Sequence, residues 1–335
     1  MMASSQQSAA GSQPPCDAAA AAFAVVGVGP VGAVLAAYLA RAGHRVAVAD
    51  VDAPHIEAIR RDGIEVTGVR EARGKPGRCV TTIAELAGDD YDYVVVATKA
   101  SVLSRVMPDV ARIAGMRSWV VSFQNGLDTE AEIARHVGAD RTLRCVVNYA
   151  GGKIADGRIK MTFFTGRNVA GAATPAGEAV ARRFAETLDA AGVETDYSPE
   201  IRRFEWEKTI LNAAMSPLCA LTGLTMRECV EWPAAMGIVE RLIDEGIAAA
   251  RADGFEWPAG FREHCLGYLG KGGYHRPSLW VDIASRRPTE IGVLSGRIAD
   301  IADARGVPAP THRLLAVLVE GIERSWASPH APGGG

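Results

Sequence analysis

The stretch that most constrains this chain is 23–50, where a glycine-rich turn joins an apolar run to a helical pattern and a second apolar run. Gly27, Gly29 and Gly32 give the spacing G-x-G-x-x-G directly after the first run. Glycine suits these positions because it allows a tight turn, a close approach to the backbone, and close packing of helix on strand. The order strand, turn, helix, strand predicts a parallel βαβ unit, and therefore an α/β fold of the Rossmann type.

The same turn is typical of a dinucleotide-binding site. Free N–H groups and the positive end of the dipole at the helix start favour a diphosphate. Asp50 ends the second strand, where a carboxylate can accept from both ribose hydroxyls of adenosine and would repel a 2′-phosphate. The sequence thus predicts NAD(P)H as the cofactor, with NADH preferred; the alternative is a tight βαβ turn without a ligand. The turn residues expected to hold the cofactor are Gly27, Val28, Gly29, Pro30, Val31 and Gly32.

Composition narrows the class of protein. A length of 335 residues suggests two domains, and a net charge of −3 gives no reason to expect nucleic acid or an anionic membrane as partner. The six cysteines contain no C-x-x-C pair, which predicts reduced thiols in a cytoplasmic protein, without disulfides or a metal site. Residues 18–40 are uncharged and long enough to cross a bilayer, but their glycines and Pro30 fit the βαβ unit better.

The periodicity of the chain changes near residue 197. Residues 1–21 read as a disordered tail, 22–197 as a dinucleotide-binding domain with a doubly wound sheet, 198–328 as an all-helical substrate domain, and 329–335 as a flexible C-terminus. Within the first domain, 71–78 reads as a polar loop.

Two polar side chains follow buried strands of the predicted sheet. Lys99 comes just after the run 93–97, and Asn125 comes just after the strand 119–123. Because ligands gather at the carboxyl ends of parallel strands, Lys99 is expected near a cofactor or an anionic substrate. Asn125 is either a ligand contact or the start of an Asx turn before glycine, and the sequence leaves both possibilities open.

The helical half contains a second group of chemistry-bearing residues. Lys208 and Asn212 are four residues apart and therefore share one helix face. A partly desolvated lysine can stabilise and protonate the oxygen of a ketone that receives a hydride. The alternative is an ordinary amphipathic helix with Glu205 and Glu207 in solvent and Lys208 paired to one of them. Glu290 is predicted to open a later helix, where a carboxylate stabilises the first turn.

Five motifs together resemble the ketopantoate reductase (2-dehydropantoate 2-reductase) family, over nearly all of the chain beyond the tail. They are GVGPVG at 27–32, TKA at 98–100, QNG at 124–126, EWEKTILN at 205–212 and RPSLWVDIASRRPTEI at 276–291.

The resemblance implies a role for each motif residue. Lys208 corresponds to the proton donor to the keto oxygen, and Glu290 to the carboxylate that pairs with it and orients it. Asn212 and Ser278 correspond to residues that hold the hydroxyl and carboxylate ends of the substrate. The remaining pair, Lys99 and Asn125, corresponds to residues that line the nicotinamide and ribose side of the cleft, with Asn125 also near the substrate.

Two positions depart from the family pattern. Ser216 stands before Pro217 where the family commonly has a second asparagine, so the substrate hydroxyl would meet a shorter side chain. Asp50 and Asp52 stand where many members carry an arginine for the 2′-phosphate of NADPH. Both departures leave the reaction type unchanged, and the second again favours NADH.

The function implied is a cytoplasmic oxidoreductase that reduces 2-dehydropantoate to (R)-pantoate with NAD(P)H, as in pantothenate biosynthesis. One alternative is a related NAD-dependent reductase of another small 2-oxo acid, and a second is a non-catalytic NAD(H)-binding regulator. Apolar faces on the helical patterns 234–252 and 311–326 would also allow a homodimer.

Overall fold

The computed structural model describes residues 20–326. The predicted tail at 1–21, apart from its last two residues, and the predicted flexible segment at 329–335 lie outside the described residues. The strands of the described part are β1 (Ala22–Val26), β2 (Arg45–Ala49), β3 (Ile64–Gly68), β4 (Ala72–Gly74), β5 (Arg78–Val80), β6 (Tyr93–Val96), β7 (Trp119–Ser122), β8 (Thr142–Val146), β9 (Tyr149–Ala155), β10 (Arg158–Phe164), β11 (Asn168–Ala172) and β12 (Thr195–Tyr197).

The α-helices are α1 (Pro30–Arg41), α2 (Ala53–Asp62), α3 (Leu103–Ala114), α4 (Thr129–Val137), α5 (Glu178–Ala190), α6 (Ile201–Thr222), α7 (Met226–Glu231), α8 (Pro233–Ala252), α9 (Phe261–Gly270), α10 (Ser278–Ala284), α11 (Ser295–Arg305) and α12 (Pro310–Trp326). Short 3-10 turns connect several of them, including Ile83–Leu86 and Ile291–Val293. In the part of the chain that the structure describes, no helix is both long and apolar enough to span a membrane.

Eight strands form the main sheet, in the order β12-β11-β8-β7-β6-β1-β2-β5. The strands from β8 to β5 run parallel, and β11 pairs with β8 in the antiparallel sense. A second sheet, in the order β4-β3-β10-β9, packs on α1, most closely through β4. Its strands β9 and β10 form a hairpin whose turn is at Asp156 and Gly157. The predicted α/β class with a doubly wound Rossmann-type sheet is confirmed.

Helix α1 forms where the glycine-rich turn predicts it. Pro30 occupies its first position, where a missing N–H costs nothing, and Gly29 precedes it as the N-cap. Small side chains at Ala33, Ala36 and Ala37 are fully buried and let the helix lie close to β1 and to the second sheet. The uncharged stretch that is long enough for a bilayer is therefore divided between a strand and a helix.

Helical packing begins directly after β12. Helix α6 runs for 22 residues and packs against α8, α10 and α12, with the fully buried Trp206 in its core. It continues through Pro217 and ends at Thr222. Leu127, which follows the tip of β7, packs into the same helical core and connects the two halves of the molecule.

Two local predictions are wrong, at 71–78 and at Glu290, and one short helix was not predicted. The segment 71–78 contains β4 and the start of β5 instead of a loop, because its alternating Ala72 and Gly74 are buried on the second sheet. Helix α10 lies between two prolines and is too short for a periodicity to be seen. Glu290 precedes a 3-10 turn, and the α-helix begins only at Ser295.

Candidate functional site

The tips of three adjacent strands bring the predicted residues of the first half together. β6 pairs with β1 on one side and with β7 on the other. The glycine-rich turn, Lys99 and Asn125 therefore lie along one edge of the sheet, although about a hundred residues separate the first from the last. The carboxyl edge of a parallel sheet is where such folds bind their ligands.

The glycine-rich turn fits a dinucleotide. Gly27 has φ +91°, and a Cβ there would lie 2.6 Å from the backbone nitrogen of Thr98. A Cβ at Gly32 would collide with the carbonyl oxygen of Gly27. At Gly29, by contrast, a Cβ would meet nothing within 4 Å. Two glycines are thus needed for packing, while the third faces open space at the start of α1, where a diphosphate would lie.

Asp50 is tied to the same turn. Its carboxylate accepts a hydrogen bond of 2.7 Å from the N–H of Val28 and one of 3.0 Å from the N–H of Asp52. Beyond it, Asp52 caps α2 and forms an ion pair of 2.7 Å with Lys153. A fixed carboxylate thus lies at the end of β2, beside the first turn of α1.

Lys99 reaches across to the helical half. Its Nζ lies 2.6 Å from Asp282 of α10 and 3.7 Å from Glu290. The lysine side chain is 40% exposed, while the two carboxylates are only 4% and 7% exposed. Burial works to lower the pKa of Lys99, but the charges of Glu290 and Asp282 outweigh it and leave the pKa above its ordinary value. Lys99 therefore stays a cation over the whole physiological pH range.

Glu290 does not pair directly with Lys208, and this part of the prediction needs correction. Within residues 20–326 these two side chains form no ion pair; Glu290 accepts from the N–H of Ala100 at 3.1 Å and from the amide of Asn125 at 3.4 Å. The reason is placement: Glu290 precedes the 3-10 turn and packs against the tips of β6 and β7, whereas Lys208 projects from α6. Asn125 lies between them, since it also lines the cleft that contains Lys208.

Lys208 lines a small polar cleft between the sheet and α6. The cleft is lined by Gln124, Asn125, Gly126, Arg144, Val146, Val147, Glu205, Lys208 and Thr209. The ammonium lies 3.5 Å from the side-chain oxygen of Asn148, a weak hydrogen bond. Burial, together with the positive charge of Arg144, lowers the pKa of Lys208 from 10.5 to about 8. An amine with such a pKa can release a proton near neutral pH.

The simpler interpretation of the helix does not hold. Glu205 is buried and pairs with Arg144, not with solvent or with Lys208. Glu207 lies 3.2 Å from His264 of α9. Neither glutamate neutralises Lys208.

The remaining predicted substrate residues are distributed unevenly. Asn212 and Ser216 follow Lys208 at intervals of four residues, so they continue its face of α6. Asn212 is half-buried and Ser216 is buried. Ser278 is exposed at the first position of α10, one helical turn before Asp282.

Two polar residues of the site were missed by sequence reasoning. Arg144 interrupts the apolar run of β8, and a single charge inside a buried strand is a signal that could have found it. Asp282 lies four residues after Ser278, so the two share a helix face, but the short α10 was not predicted. The partners of both residues lie far away in sequence, and no local pattern identifies them.

The arrangement can support reduction of a carbonyl group. An amide at Asn125 and a titratable amine at Lys208 line one cleft between the sheet and α6. The carboxyl edge of the same sheet carries a turn suited to a dinucleotide and a permanent cation at Lys99. A cation beside an amide suits an anionic substrate, and an amine with a lowered pKa suits proton transfer to an oxygen.

Comparisons with known proteins agree with this chemistry. Residues 23–175 match the family model for ketopantoate reductase PanE/ApbA, and residues 200–323 match the model for its C-terminal part. The 2-dehydropantoate 2-reductase of Pyrococcus abyssi is 26% identical over 303 residues, which cover 89% of this chain and 97% of that protein. The 2-dehydropantoate 2-reductase of Mesorhizobium japonicum is 27% identical over 332 residues, or 91% and 99%.

Solved structures share the fold over almost their whole length. A PanE/ApbA family ketopantoate reductase from Ralstonia eutropha JMP134 has a TM-score of 0.81 at 25% identity, and covers 91% of this chain and 99% of its own. A D-mandelate dehydrogenase with NADH and anilino(oxo)acetate has a TM-score of 0.83 at 24% identity, with the same coverage.

Proposed function

The chain belongs to the ketopantoate reductase family, a family of NAD(P)H-dependent oxidoreductases, and from this premise we propose that it reduces a small 2-oxo acid to the 2-hydroxy acid, with 2-dehydropantoate as the first candidate substrate. The product would be (R)-pantoate, and the reaction would then belong to pantothenate biosynthesis. The observation that carries the proposal is the amine of Lys208, which lines the interdomain cleft with a pKa of about 8 and without a neutralising carboxylate among the described residues.

The proposed reaction adds a hydride and a proton to the keto group. When bound, a reduced nicotinamide cofactor supplies the hydride to the keto carbon. Lys208 donates the proton from Nζ to the keto oxygen, which would otherwise carry the developing negative charge. The amine then regains a proton from solvent, which its pKa near 8 allows at physiological pH.

The substrate carboxylate would be held by Lys99. This ammonium is already near two carboxylates and its side chain is 40% exposed, so an incoming anion can approach it. Asn125 would orient the substrate, because its amide is fixed by Glu290 at 3.4 Å and lies beside Lys208. Glu290 would act on Lys208 through Asn125.

We propose NADH as the preferred cofactor. The residues that would hold it are the turn at 27–32 and Asp50. Asp50 is fixed by two backbone N–H groups, so it cannot easily turn away from a 2′-phosphate. Repulsion between this carboxylate and the phosphate supports discrimination against NADPH.

A second candidate is a reductase of a different 2-oxo acid. Ser216 favours it, because on the face of α6 that carries Lys208 a hydroxyl replaces the longer asparagine of the family pattern. A structure with the same fold is described as a D-mandelate dehydrogenase with NADH and anilino(oxo)acetate, so the fold accommodates 2-oxo acids with an aromatic group.

Steady-state kinetics with a panel of 2-oxo acids test both candidates. We expect the highest kcat/KM with 2-dehydropantoate and NADH; a higher value with phenylglyoxylate or 3-methyl-2-oxobutanoate would select the second candidate. Lys208→Met should lower kcat by about 10²–10⁴ and leave the Kd for NADH within about twofold. Glu207→Gln, on the same helix but paired with His264, is the matched control and should keep full activity. Full activity of Lys208→Met would refute the proposed mechanism.

A homodimer is also proposed. Leu314, Val317 and Leu318 form an exposed apolar stripe on α12, at the spacing of one helix face. Leu318→Glu should shift the mass measured by sedimentation equilibrium from dimer to monomer. A monomeric wild-type protein would refute the proposal.

A further inference from the structure

Arg144 is the most completely engaged charged side chain in the cleft. It projects from β8 and is only 3% exposed. Its guanidinium donates to the carbonyl oxygens of Ser122 at 3.3 Å, Gln124 at 2.7 Å, Gly126 at 3.0 Å and Cys145 at 3.0 Å. Two of these carbonyls belong to the turn that carries Asn125. The planar guanidinium thus fixes the path of this turn in a way that a single ammonium could not.

The same guanidinium holds α6. Its Nε donates to Glu205, which is 1% exposed and lies one helical turn before Lys208. Glu205 is also 3.6 Å from Arg202, which in turn pairs with Asp128 at 2.5 Å. One side chain of the sheet therefore connects the Gln124–Gly126 turn with the helix that carries Lys208.

The positive charge of Arg144 acts on Lys208, and among the described residues no carboxylate forms an ion pair with the Lys208 ammonium. Burial is the main cause of the lowered pKa of Lys208, and the charge of Arg144 on β8 lowers it further. Cys145, the neighbouring titratable group of that strand, acts in the opposite direction. Burial raises the pKa of the Cys145 thiol to about 12, so the thiol stays neutral. Glu205, one turn away on α6, directs its carboxylate to Arg144.

Groups on the other elements around α6 are engaged elsewhere. Asp282 of α10 is paired with Lys99, and His264 of α9 is paired with Glu207. On the far side of Glu205, Glu130 at the start of α4 lies 3.8 Å from Arg144 and 3.6 Å from Arg202. Of these charged groups, Arg144 is the one that acts on the Lys208 amine, where its charge adds to the larger effect of burial.

We propose that Arg144 is the positioning residue of Lys208: its guanidinium locks the Gln124–Gly126 turn, which carries Asn125, to α6 through Glu205, and its positive charge acts on the amine that lines the same cleft. The proposal rests on the proposed role of Lys208 as proton donor. Arg144 and Glu205 take no direct part in the proposed reaction, and their role here is to position Lys208.

Three variants separate the charge of Arg144 from its shape. Arg144→Met combined with Glu205→Leu removes the buried pair as a unit, which buried pairs tolerate better than loss of one partner. Arg144→Lys keeps the charge and loses the planar contacts to the turn. Burial, together with Glu130, holds the pKa of Glu205 well above its usual range. Glu205→Gln keeps an oxygen for Arg144 and leaves the cation in place, so it should not raise the pKa of Lys208. Thermal unfolding of each variant verifies that it is folded.

The pKa of Lys208 is read directly in the ligand-free protein by NMR titration of labelled lysine, with Lys208→Met used to assign the signal. We expect the double variant to raise this pKa by about half a pH unit or more, and Arg144→Lys to leave it nearly unchanged. The alkaline limb of kcat/KM should move by the same amounts. Arg144→Lys should lower kcat severalfold without moving the limb.

An unchanged pKa of Lys208 in the double variant would overturn the proposal. Equal pKa values in Arg144→Lys and the double variant would also overturn it, because charge would then have no effect. If the double variant does not fold, Arg144→Lys still decides, because a shifted alkaline limb or an unchanged kcat in that variant would overturn the proposal. The titration needs no turnover, so it remains informative if Lys208 turns out not to be the proton donor and the proposed function fails.

Discussion

Raising the pH should reduce activity much earlier than an ordinary lysine would allow. With a pKa of about 8, Lys208 is about 90% protonated at pH 7 and about 10% protonated at pH 9. A lysine at its ordinary value of 10.5 would still be almost fully protonated at pH 9. Because Lys208 must donate a proton in the reduction, kcat/KM should fall about tenfold between pH 7 and pH 9 and tenfold per pH unit beyond.

Initial rates of NADH oxidation with the best 2-oxo acid give this profile. The deuterium isotope effect with labelled NADH shows at each pH that hydride transfer limits the rate. NADH affinity, measured by fluorescence across the same range, controls for cofactor loss. A profile that stays flat to pH 9.5, or a limb that persists in the residual activity of Lys208→Met, would refute the reasoning.

The same pKa has a consequence for stability. Between pH 8 and pH 10.5 the unfolded chain binds more protons at Lys208 than the folded chain does, so the free energy of unfolding rises with pH across this window. Below pH 8 the folded protein carries the full cost of the buried charge, about 3 kcal/mol. Lys208→Met should therefore be more stable than wild type at pH 7 by up to this amount, and the gain should vanish above pH 10.5. Urea unfolding at both pH values measures it; a less stable variant at pH 7 would contradict the pKa.

Three other substitutions test the surroundings of the cleft. Lys99→Met leaves two buried carboxylates without their shared cation and should lower the free energy of unfolding in urea by about 2–4 kcal/mol. Lys153→Met removes an exposed ion pair and should lower it by less than about 1 kcal/mol. Equal losses in the two variants would argue against the interdomain role of Lys99. Gly29→Ala should fold normally and weaken NADH binding in calorimetry, while Gly27→Ala, at φ +91°, should lower Tm; the reverse pattern would contradict the turn geometry. Asp50→Asn should raise the kcat/KM ratio of NADPH to NADH about tenfold, and an unchanged ratio would remove Asp50 as the determinant.

Most of the fold can be predicted from local patterns in the sequence. The glycine spacing, the apolar runs that end in Lys99 and Asn125, and the change of periodicity near 197 predict the sheet and the helical half, because each depends on residues near in sequence. The strands at 71–80 could not be predicted in this way, since three-residue strands show no period of their own. They form because β3 of the second sheet pairs with β4, and β2 of the main sheet pairs with β5.

The residues of the candidate site could be predicted from the sequence, but the contacts between them could not. Position on a strand tip or a helix face places Lys99, Asn125 and Lys208 near the cleft. Which carboxylate pairs with which lysine depends on how the two halves of the molecule pack together. In this structure Glu290 contacts Lys99 and Asn125. Arg144 was missed for the same reason, because its partners come from the turn after β7 and from α6.

The two lysines of the cleft show why those contacts matter for chemistry. Lys99 has two carboxylates within ion-pair distance, and these raise its pKa; Lys208 has none among the described residues and faces Arg144 and a buried wall, which lower its pKa to about 8. When their surroundings give two groups of the same type different pKa values, the two groups can serve different functions. A lysine that keeps its proton can only hold an anion, and a lysine that readily releases one can donate it to an oxygen. Lys208 cannot take the role of Lys99 in this fold, because the 3-10 turn packs against β6 and β7 and keeps Glu290 away from α6.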